Sequence, residues 1–539
     1  MRGKIWIVVG SALGLVLMSG TSVAARAATP SCDQSWPMYG QDLSHTADAV
    51  SCTGAPQITA ANASTLVPKW FVSTGDVTAT PTVAYGKVYV GDAGGTFRAI
   101  DQATGAVAWT FSSTANGIHD DQHSPGFGEF ASTAAVSRVP GVHDPLVFVG
   151  GGGTLFALDA FSGQPVWAQD VDPGQPKSAI EIESSPAVDL SSSPPEVVVG
   201  SDDNGSGGID ETGIQAFNAA TGALLWKYEP ELNLVVHSLT GQDGQGNGCG
   251  DVWSSPAIDP AAHLVVFGTG NCVNNAAAVA QHDFSTNAGI FAVNVATGER
   301  VWSFFEPPNQ YDTGQASDAG SGDDDFGSSA VLTRIGDRKV VLEGSKSGYV
   351  YALDEATGSK IWQDEPAQAG QLSPQLVGSI GGFIGSAALG QVDGQPALFL
   401  SSAVPLPFSG EGLNLSGSGT LASLDTSLLT DPTRVVSLHA VSVATGQVLW
   451  QDPISTPTYA AVTYSNGVVF LPASTGVAAA AYDANTGLPL WVFPVGAVPG
   501  SGVSIVGTNI FLGTGLSEGS IGSVGIPPEV SGVWSFGTL

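Results

Sequence analysis

Residues 348–362 read Gly348-Tyr-Val-Tyr-Ala-Leu-Asp354-Glu-Ala-Thr-Gly358-Ser-Lys-Ile-Trp362, and this stretch predicts the fold. The alternating apolar residues before Asp354 are typical of a β-strand. The Asp354 side chain can hydrogen-bond its own turn, and Gly358 tolerates a positive φ, so a tight turn follows the strand. Trp362 then begins a returning strand, and the unit is predicted to be a β-hairpin.

The same turn pattern occurs seven times: a polar residue, then Thr-Gly or Ser-Gly three positions later, then Trp. Its glycine and tryptophan members are Gly105 and Trp109, Gly163 and Trp167, Gly222 and Trp226, Gly298 and Trp302, Gly358 and Trp362, Gly446 and Trp450, and Gly487 and Trp491. Successive tryptophans lie 41 to 88 residues apart, which indicates insertions of different length on a regular scaffold. Because the tryptophans recur so regularly, we expect them to pack between neighbouring repeats rather than to catalyse.

A second hairpin precedes this turn, as residues 80–91 illustrate with an alternating pattern on both sides of Gly86. Each repeat therefore holds about four short antiparallel strands, which is the blade of a β-propeller. Trp70 has no hairpin before it, and the strands within 501–513 have no tryptophan turn after them. We expect these two ends to join as one more blade. The prediction is an all-β, eight-bladed β-propeller whose ring is closed by N- and C-terminal strands, which leaves no exposed sheet edge.

The overall charge excludes several kinds of partner. The 539 residues include 48 acidic and 16 basic side chains, and the formal net charge is -32. Nucleic-acid binding depends on lysine and arginine neutralising phosphates, so no nucleic acid is expected as a partner. Binding to an anionic membrane surface is disfavoured for the same reason. Hydrophobic residues make up 43% of the chain and charged ones only 12%, which indicates a folded protein.

The N-terminus resembles a secretory signal peptide. Arg2 and Lys4 precede an apolar run that ends at Met18, and Ala25-Arg-Ala27 follows as a small-residue cleavage signal. The run is shorter than the roughly 20 residues needed to cross a bilayer, so export to the periplasm or cell exterior is expected, without membrane insertion. The predicted divisions are a signal peptide (1–27), an N-terminal segment (28–65), the propeller (66–515) and a C-terminal tail or closing strand (516–539).

Four cysteines follow the predicted cleavage site. An even number of cysteines in an exported chain favours disulfides, and neighbours in sequence give Cys32–Cys52 and Cys249–Cys272 as the simplest pairs. Metal binding is the alternative, although the spacings do not match a zinc site. No Cys-x-x-Cys-His motif occurs, so no covalently attached c-type haem is expected.

The repeats resemble those of the pyrroloquinoline quinone (PQQ) dehydrogenases, a family of eight-bladed propellers that includes alcohol dehydrogenases. The resemblance covers about residues 36–515. Its more specific part is the opening motif Trp36-Pro-Met-Tyr39-Gly-Gln-Asp42-Leu-Ser-His-Thr, followed by Leu66-Val-Pro-Lys-Trp70. Trp36-Pro-Met-Tyr39-Gly and the turn that contains Asp325 resemble polyvinyl-alcohol dehydrogenase most closely.

The resemblance implies a cofactor site in and near the longest insertions. It makes Trp253 the indole floor beneath the flat quinone, which suits an aromatic stack. It makes Asn271 a ligand of a calcium ion, which prefers oxygen ligands. Asp325 would be a further calcium ligand and the base that takes the substrate hydroxyl proton, and Lys346 would hydrogen-bond the quinone oxygens. The residues alone are also compatible with a core tryptophan, a turn asparagine and a solvated acidic loop.

The sequence departs from the family pattern in several places, two of which concern the cofactor site directly. A calcium-ligating glutamate is expected after residues 197–200, where the chain instead offers Asp202, Asp203 and Glu211; Asp203 is taken as the ligand, with the other two as alternatives. An arginine expected near Phe130 is missing.

The leading hypothesis is an exported, calcium- and PQQ-dependent alcohol dehydrogenase that passes electrons to an external carrier such as a cytochrome c. A non-catalytic propeller that binds protein or polysaccharide is the main alternative. A hydrolase or lyase is the third, with the loop histidines His119, His123, His237 and His282, which no metal or nucleophile motif organises.

Overall fold

The structure, a computed structural model, describes residues 32–113, 128–171, 173, 180–202, 212–239, 249–272, 289–305, 325–367, 382–403, 432–454, 458–472, 478–515 and 530–539. The chain divides into two units, Met1–Asp33 and Gln34–Leu539. Cys32 and Asp33 are the described residues of the first unit, and the architecture below belongs to the second.

Eight antiparallel sheets make up the described part of the second unit, and each sheet is one blade of a propeller. Innermost strands of neighbouring blades contact one another around the ring, including the first and the eighth blades. The predicted all-β, eight-bladed propeller is therefore confirmed. None of the helices in the described ranges is long and apolar enough to cross a membrane.

The strands follow the chain from blade to blade. The first strand belongs to blade 8 and the next eight form blades 1 and 2: β1 (Val67–Ser73), β2 (Thr82–Ala84), β3 (Lys87–Gly91), β4 (Thr96–Asp101), β5 (Val107–Ser112), β6 (Ala135–Ser137), β7 (Leu146–Gly151), β8 (Thr154–Asp159) and β9 (Pro165–Asp170). Blades 3 and 4 contain β10 (Ala187–Asp189), β11 (Glu196–Ser201), β12 (Gly213–Asn218), β13 (Leu224–Glu229), β14 (Leu234–Val236), β15 (Cys249–Asp251), β16 (Ala257–Asp259), β17 (Leu264–Cys272), β18 (Gly289–Asn294) and β19 (Arg300–Phe305).

The remaining strands complete the ring. Blades 5 and 6 contain β20 (Val331–Ile335), β21 (Arg338–Gly344), β22 (Val350–Asp354), β23 (Lys360–Asp364), β24 (Ala388–Val392), β25 (Gln395–Ser401), β26 (Ser437–Ser442) and β27 (Val448–Pro453). Blades 7 and 8 contain β28 (Thr463–Ser465), β29 (Val468–Phe470), β30 (Ala478–Asp483), β31 (Pro489–Pro494), β32 (Val503–Val506), β33 (Asn509–Thr514) and β34 (Gly532–Gly537). The described residues also include two short 3-10 helices, Ala63–Thr65 before β1 and Pro432–Arg434 between β25 and β26.

The eighth blade joins the two ends of the chain. Its strand order is β1-β34-β33-β32, so β1 near the N-terminus is the outer strand of a sheet otherwise built from C-terminal strands. Phe71 of β1 lies opposite Trp534 of β34 in the antiparallel register. This confirms the predicted closure by strands from both ends.

The repeated turn has the structure that its residues predict. In the fifth blade Asp354 Oδ1 accepts a hydrogen bond from the Thr357 backbone amide at 3.1 Å and another from the Thr357 hydroxyl at 2.9 Å. The seven turn glycines have φ between +68° and +80°, where a residue with a Cβ would be strained. A polar side chain and a glycine are therefore both required to return the chain toward the tryptophan.

Eight tryptophans connect the blades. Each indole Nε1 donates a hydrogen bond of 2.7–3.1 Å to a backbone carbonyl of the following blade: Trp70 to Gln102, Trp109 to Ala160, Trp167 to Ala219, Trp226 to Val295, Trp302 to Glu355, Trp362 to Val443, Trp450 to Ala484, and Trp491 to Leu66. A Cβ on the turn glycine of the following blade would fall within 2.5–2.9 Å of the same ring in seven of these pairs, Gly298 on Trp226 among them. The predicted packing role is confirmed, and Trp70 supplies the eighth copy.

A second set of glycines allows the blades to approach closely near the channel. These glycines lie near or at the ends of the second strands, and each meets a residue of the next blade. A Cβ would lie within 3.0 Å of that residue in each pair: Gly91 with Phe130, Gly150 with Ile182, Gly200 with Val252, Gly268 with Phe326, Gly344 with Phe383, and Gly513 with Val77. The buried clusters of the core accordingly lie between neighbouring blades rather than in one central mass.

A belt of hydroxyl groups runs around the channel just before the innermost strands. Backbone amides donate to hydroxyl oxygens of the following blade at 2.9–3.1 Å, in the order Gly502 to Thr80, Thr80 to Thr133, Thr133 to Ser185, Ser185 to Ser255, Ser255 to Ser329, and Ser329 to Ser386. We call these residues the hydroxyl belt. It joins seven consecutive blades, from the eighth through the first to the sixth.

The N-terminal segment 36–49 lines the channel. Its backbone hydrogen-bonds the innermost strands of six blades in turn: Trp36 with Val83, Pro37 with Val136, Leu43 with Ile258, Ser44 with Leu332, Thr46 with Leu389, and Ala47 and Ala49 with Tyr464. The Tyr39 hydroxyl donates to Ser386 Oγ of the hydroxyl belt at 2.6 Å. The segment that carries the opening motif therefore holds the ring from within.

Two cysteines are placed by the structure. Cys32 and Cys52 are both disulfide-bonded, and their pairing with each other stays a prediction. Cys249 and Cys272 face each other in the register of β15 and β17, and their side chains lie outside the described residues. The second pair stays a prediction.

We expect Trp226→Phe to lower the free energy of unfolding by ~1–3 kcal/mol, because phenylalanine keeps the ring but leaves the buried Val295 carbonyl without its donor. Urea unfolding measures this change. Leu488→Ala, at a side chain that is 61% exposed, is the control and should change stability by less than about 0.5 kcal/mol. Equal midpoints for the two variants would contradict a role of the indole hydrogen bond.

We also expect Asp48→Asn in the N-terminal segment to remove part of the pH dependence of stability. Burial, together with the nearby Asp42 carboxylate, raises the pKa of Asp48 from 3.8 to about 7. Because the folded protein binds this proton more tightly than the unfolded chain, the stability contributed by Asp48 falls as the pH rises from about 4 to about 7.

The Asp48→Asn variant should therefore match the wild type near pH 4 and exceed it by ~1–3 kcal/mol near pH 8, as urea unfolding at both pH values would report. Asp393→Asn, in an exposed turn, should track the wild type at both. A constant difference between Asp48→Asn and wild type across this range would refute the assignment.

Candidate functional site

The candidate site lies at the end of the ring where the hydroxyl belt runs. In each blade the innermost strand begins and the second strand ends at this same end, which we call the mouth. The mouth carries a set of buried charged side chains: Asp92, Glu129, Glu181, Asp202, Asp251, Asp325 and Lys346. Most of them belong to blades 3, 4 and 5.

Asp325 and Lys346 form an ion pair at the mouth of blade 5. Lys346 Nζ lies 2.6 Å from Asp325 Oδ2, with Asp325 fully buried and Lys346 only 14% exposed. The Lys346 backbone amide also donates to the Asp325 carbonyl at 2.9 Å. The end of β21 and the segment before β20 therefore hold the two side chains together through main chain and side chain.

Trp253 completes this group from blade 4. Lys346 Nζ lies 5.0 Å from the centroid of the Trp253 ring, a distance at which the ammonium group is attracted to the indole face. A Cβ on Gly327 would lie 1.5 Å from Trp253 Cη2, so only glycine leaves room for this ring. The structure thus brings together three of the predicted site residues, Trp253, Asp325 and Lys346.

Asn271 is placed near this group by its backbone. It is the penultimate residue of β17, directly after Gly270. A Cβ on Gly270 would lie 2.5 Å from Asp325 Cγ, so the strand passes immediately beside the Asp325 carboxylate. The Asn271 side chain lies outside the described residues, and its role as a ligand stays a prediction.

Three carboxylates converge at the mouth of blade 3. One oxygen from each of Glu181, Glu183 and Asp202 lies within 4.8 Å of the others, an arrangement that could hold a metal ion. Reciprocal backbone hydrogen bonds of 2.9 and 3.1 Å join Glu181 and Asp202. Glu181 is 3% exposed and Asp202 is fully buried. We call these three residues the carboxylate cluster.

The carboxylate cluster differs from the one expected from the sequence. Asp202 was only an alternative to Asp203, and both Asp203 and Glu211 lie outside the described residues. Glu181 and Glu183 were not predicted. Their signal is Glu-x-Glu in an extended segment directly before Ser184-Ser185-Pro, since residues two apart point to the same side of such a segment.

The carboxylate cluster and the Trp253 group belong to adjoining parts of the mouth. The Val252 backbone amide donates to the Ser201 carbonyl at 3.1 Å, so the residue before Trp253 contacts the residue before Asp202. Asp251, fully buried, lies opposite Gly270 in the register of β15 and β17. Blades 3, 4 and 5 thus present carboxylates, a cation and an indole side by side.

The other blades present a different chemistry. In blade 1, Arg98 pairs with Asp92, and the Asp92 carboxylate also accepts hydrogen bonds from Gly94 and Thr96. No arginine adjoins Phe130 in sequence, and Arg98 is the arginine that the described part of blade 1 places at the mouth. In blade 6, burial lowers the pKa of His439 to about 3, so this imidazole is neutral.

The histidines of the third hypothesis do not form a site in the described residues. His237 is exposed, with Nδ1 2.7 Å from the Leu225 carbonyl. His119, His123 and His282 lie outside the described residues.

The chain is similar to known proteins both in sequence and in structure. The family model "Glucose/ethanol/alcohol dehydrogenase, beta-propeller domain", which is the PQQ model, matches residues 36–373. A second model, "Outer membrane protein assembly factor BamB", matches residues 346–524. The two matches together cover the strands of all eight blades except β34, which follows the second match.

Similar curated proteins are quinohemoprotein alcohol dehydrogenases. The enzyme ADH IIB of Pseudomonas putida is 26% identical over 64% of this chain and 49% of its own length. The enzyme of Comamonas testosteroni is 28% identical over 64% of this chain and 48% of its own length. The chain therefore spans about half the length of these relatives. The crystal structure of the Comamonas testosteroni enzyme superposes with a TM-score of 0.66 at 21% identity, over 94% of this chain and 80% of the other.

We expect Gly327→Ala to displace the Trp253 ring, because the added Cβ has no space, and to cost ~1–3 kcal/mol of stability. Near-ultraviolet circular dichroism should report the altered environment of the tryptophan. Gly336→Ala is the control: its φ is +62° but a Cβ there meets nothing within 4 Å, so it should cost about 1 kcal/mol and leave the spectrum unchanged. An unchanged spectrum in Gly327→Ala would show that the contact is not as described.

Proposed function

The chain belongs to the PQQ family of glucose, ethanol and alcohol dehydrogenases with a β-propeller domain, and on that premise we propose that it oxidises an alcohol with PQQ at the mouth of the propeller. The observation that supports the proposal is the convergence of Asp325, Lys346 and Trp253. These residues belong to two blades, and the first and last of them are 93 positions apart in the sequence. The eight docking tryptophans already pack the blades against one another. Packing therefore does not explain why the Asp325–Lys346 ion pair lies against a further tryptophan, Trp253.

Asp325 is the proposed base. Its carboxylate is fully buried and lies 2.6 Å from the ammonium group of Lys346, with which it forms an ion pair. The hydroxyl proton of the substrate would pass to this carboxylate. Lys346 orients the carboxylate and has further N–H groups to donate to an acceptor above the ring of Trp253.

Trp253 provides the surface for the cofactor. The indole is only partly buried and is fixed at its far edge by Gly327, so its open face suits a flat aromatic ring system. PQQ, when bound, would supply the quinone that accepts the two electrons of the alcohol carbon as a hydride. In this proposal Trp253 binds the cofactor, Lys346 orients the Asp325 carboxylate, and Asp325 deprotonates the substrate hydroxyl.

The donor set of the mouth fits a hard divalent cation, and we propose calcium. Three carboxylates whose oxygens lie within 4.8 Å of one another repel unless a cation or shared protons offset their charge. Carboxylate oxygens are the ligands that Ca²⁺ prefers. Glu181, Glu183 and Asp202 would hold the ion, and Asn271 and Asp325 remain the ligands that the family resemblance implies.

Substrate, partner and location follow from the same premise. The proposed substrate is an alcohol, small or polymeric, with polyvinyl-alcohol dehydrogenases as the most similar group on the evidence of the opening motif. We propose that electrons leave to an external carrier such as a cytochrome c. The leader-like N-terminus supports export, and the acidic charge makes a basic carrier the better electrostatic match.

A non-catalytic scaffold is the second candidate. It is favoured by one observation, the match of residues 346–524 to the model of an outer membrane assembly factor. That match includes Lys346 but not Trp253 or Asp325. The two candidates differ in whether the protein binds PQQ.

We expect calorimetric titration of the full protein with PQQ to show binding that depends on Ca²⁺. Asp325→Asn should keep PQQ affinity within about tenfold but lower turnover of an alcohol, with a dye as electron acceptor, by about 10²–10⁴-fold, because the base is lost. Asp354→Asn is the matched control, since Asp354 is also an ion-paired aspartate but lies in a hairpin turn remote from the mouth. Its turnover should equal that of the wild type.

The same titration tests the cation site. Asp202→Asn and Glu183→Gln should each weaken the Ca²⁺ dependence of PQQ binding, whereas Glu299→Gln, in an exposed turn, should not. A folded wild-type protein that binds no PQQ with or without Ca²⁺ would overturn the dehydrogenase proposal and favour the scaffold.

A further inference from the structure

Glu343 is a carboxyl group in a position where the other blades carry apolar side chains. It is the penultimate residue of the second strand of blade 5, directly before Gly344. The register places six residues at the equivalent position of other blades: Val90, Val149, Val199, Phe267, Leu400 and Leu512. The internal repeat thus shows that the blade fold itself has no need of an acid here.

The environment of Glu343 is unfavourable for a charge. The residue is 2% exposed, and neither carboxyl oxygen has a hydrogen-bond partner among the described residues. A buried polar group without a partner costs on the order of a hydrogen bond or more. Burial raises the pKa of Glu343 well above its usual value, which is consistent with a neutral acid that has a proton to donate.

The carboxyl group of Glu343 and the backbone carbonyl of Phe326, a possible hydrogen-bond acceptor, both lie against Gly268. Gly268 of β17 has its Cβ position only 2.5 Å from Glu343 Oε1 and 2.1 Å from the Phe326 carbonyl oxygen. Both oxygens therefore lie against one point of the β17 backbone. Phe326 directly follows Asp325 and precedes Gly327, so its carbonyl belongs to the turn that presents the base and seats the Trp253 ring.

We propose that Glu343 is a positioning residue: as a neutral acid it donates a hydrogen bond to the Phe326 carbonyl and fixes the Asp325–Phe326–Gly327 turn against β17. The turn is otherwise held here by the Phe326 amide, which donates to the Thr269 carbonyl at 3.1 Å. Glu343 adds the second attachment, at the carbonyl oxygen of the same residue. The proposal rests on the proposed function for its effect on turnover, but not for its effect on the turn.

Three substitutions test the proposal. Glu343→Gln keeps the length and an N–H donor, whereas Glu343→Leu and Glu343→Met remove the donor and match the apolar residues of the other blades. We expect both apolar variants to unfold at urea concentrations no lower than wild type. Amide hydrogen exchange at Phe326 and Lys346 in the cofactor-free protein should be about tenfold faster in them, and close to wild type in Glu343→Gln.

The effect on catalysis is measured with the same variants. The apolar variants should lose about tenfold or more in turnover and in PQQ affinity by calorimetry, and Glu343→Gln should stay within about threefold of wild type on both. Glu343→Gln that is as impaired as Glu343→Leu would overturn the hydrogen-bond role, as would apolar variants with wild-type exchange. If the wild type binds no PQQ, the dehydrogenase proposal fails, while the exchange data still decide whether Glu343 holds the turn.

Discussion

The structure depends on one interaction, the docking of a tryptophan of each blade onto the turn of the next. A single four-stranded blade has two apolar faces and cannot bury either by itself. The indole covers the turn glycine of the following blade and donates to a carbonyl one position beyond the turn aspartate or asparagine in most blades. Because the donor is buried with its acceptor, the contact specifies one relative position of the two blades as well as stabilising it. Seven such contacts, together with the hydrogen bond from Trp491 to the Leu66 carbonyl, connect the eight blades into a ring.

The fixed positions of the blades also fix the side chains at the mouth. Its functional side chains are held on short extensions of strands: Asp202 just after β11, Lys346 just after β21, and Trp253 and Asp325 just before the innermost strands. The hydroxyl belt lies directly beneath them, so Ser185, Ser255 and Ser329 fix the segments that carry Glu183, Trp253 and Asp325. The charged side chains of the mouth are therefore attached to backbone whose position is fixed. A site of this kind is preorganised, because no free energy is needed to orient its charges when a ligand binds.

The sequence predicted those features whose information is local. The turn motif is contained in nine residues, so its glycine, its polar residue and its tryptophan could be interpreted without a structure, and Trp70 could be added as the outer strand of the closing blade. Trp253, Asp325 and Lys346 were placed by resemblance to a family, and the structure brings them together. The hydroxyl belt was missed, since each Ser or Thr is unremarkable in its own blade and gains meaning only from the amide of another. Glu181 and Glu183 were missed for a related reason: the chain returns to Asp202 only after a complete hairpin. Glu343 could have been found by aligning the repeats on the second strand, since the six other blades compared carry Val, Leu or Phe at its position.

The N-terminal segment has a consequence for the order in which the protein can be completed. Residues 36–49 leave the ribosome before any blade, yet Asp48 and its neighbours pair with Tyr464 of blade 7, more than 400 positions later in synthesis. Until blade 7 is synthesised, residues 36–49 can form only some of their hydrogen bonds. Strand β1 has no strand to pair with until β34, the last strand of blade 8, is synthesised. In a nascent chain, some backbone hydrogen-bonding groups of residues 36–49 and of β1 therefore lack their final partners until the last blades are synthesised. Residues 36–49 inside the channel and β1 at the edge of blade 8 therefore both complete the ring, and a chain without β34 would leave β1 without its strand partner.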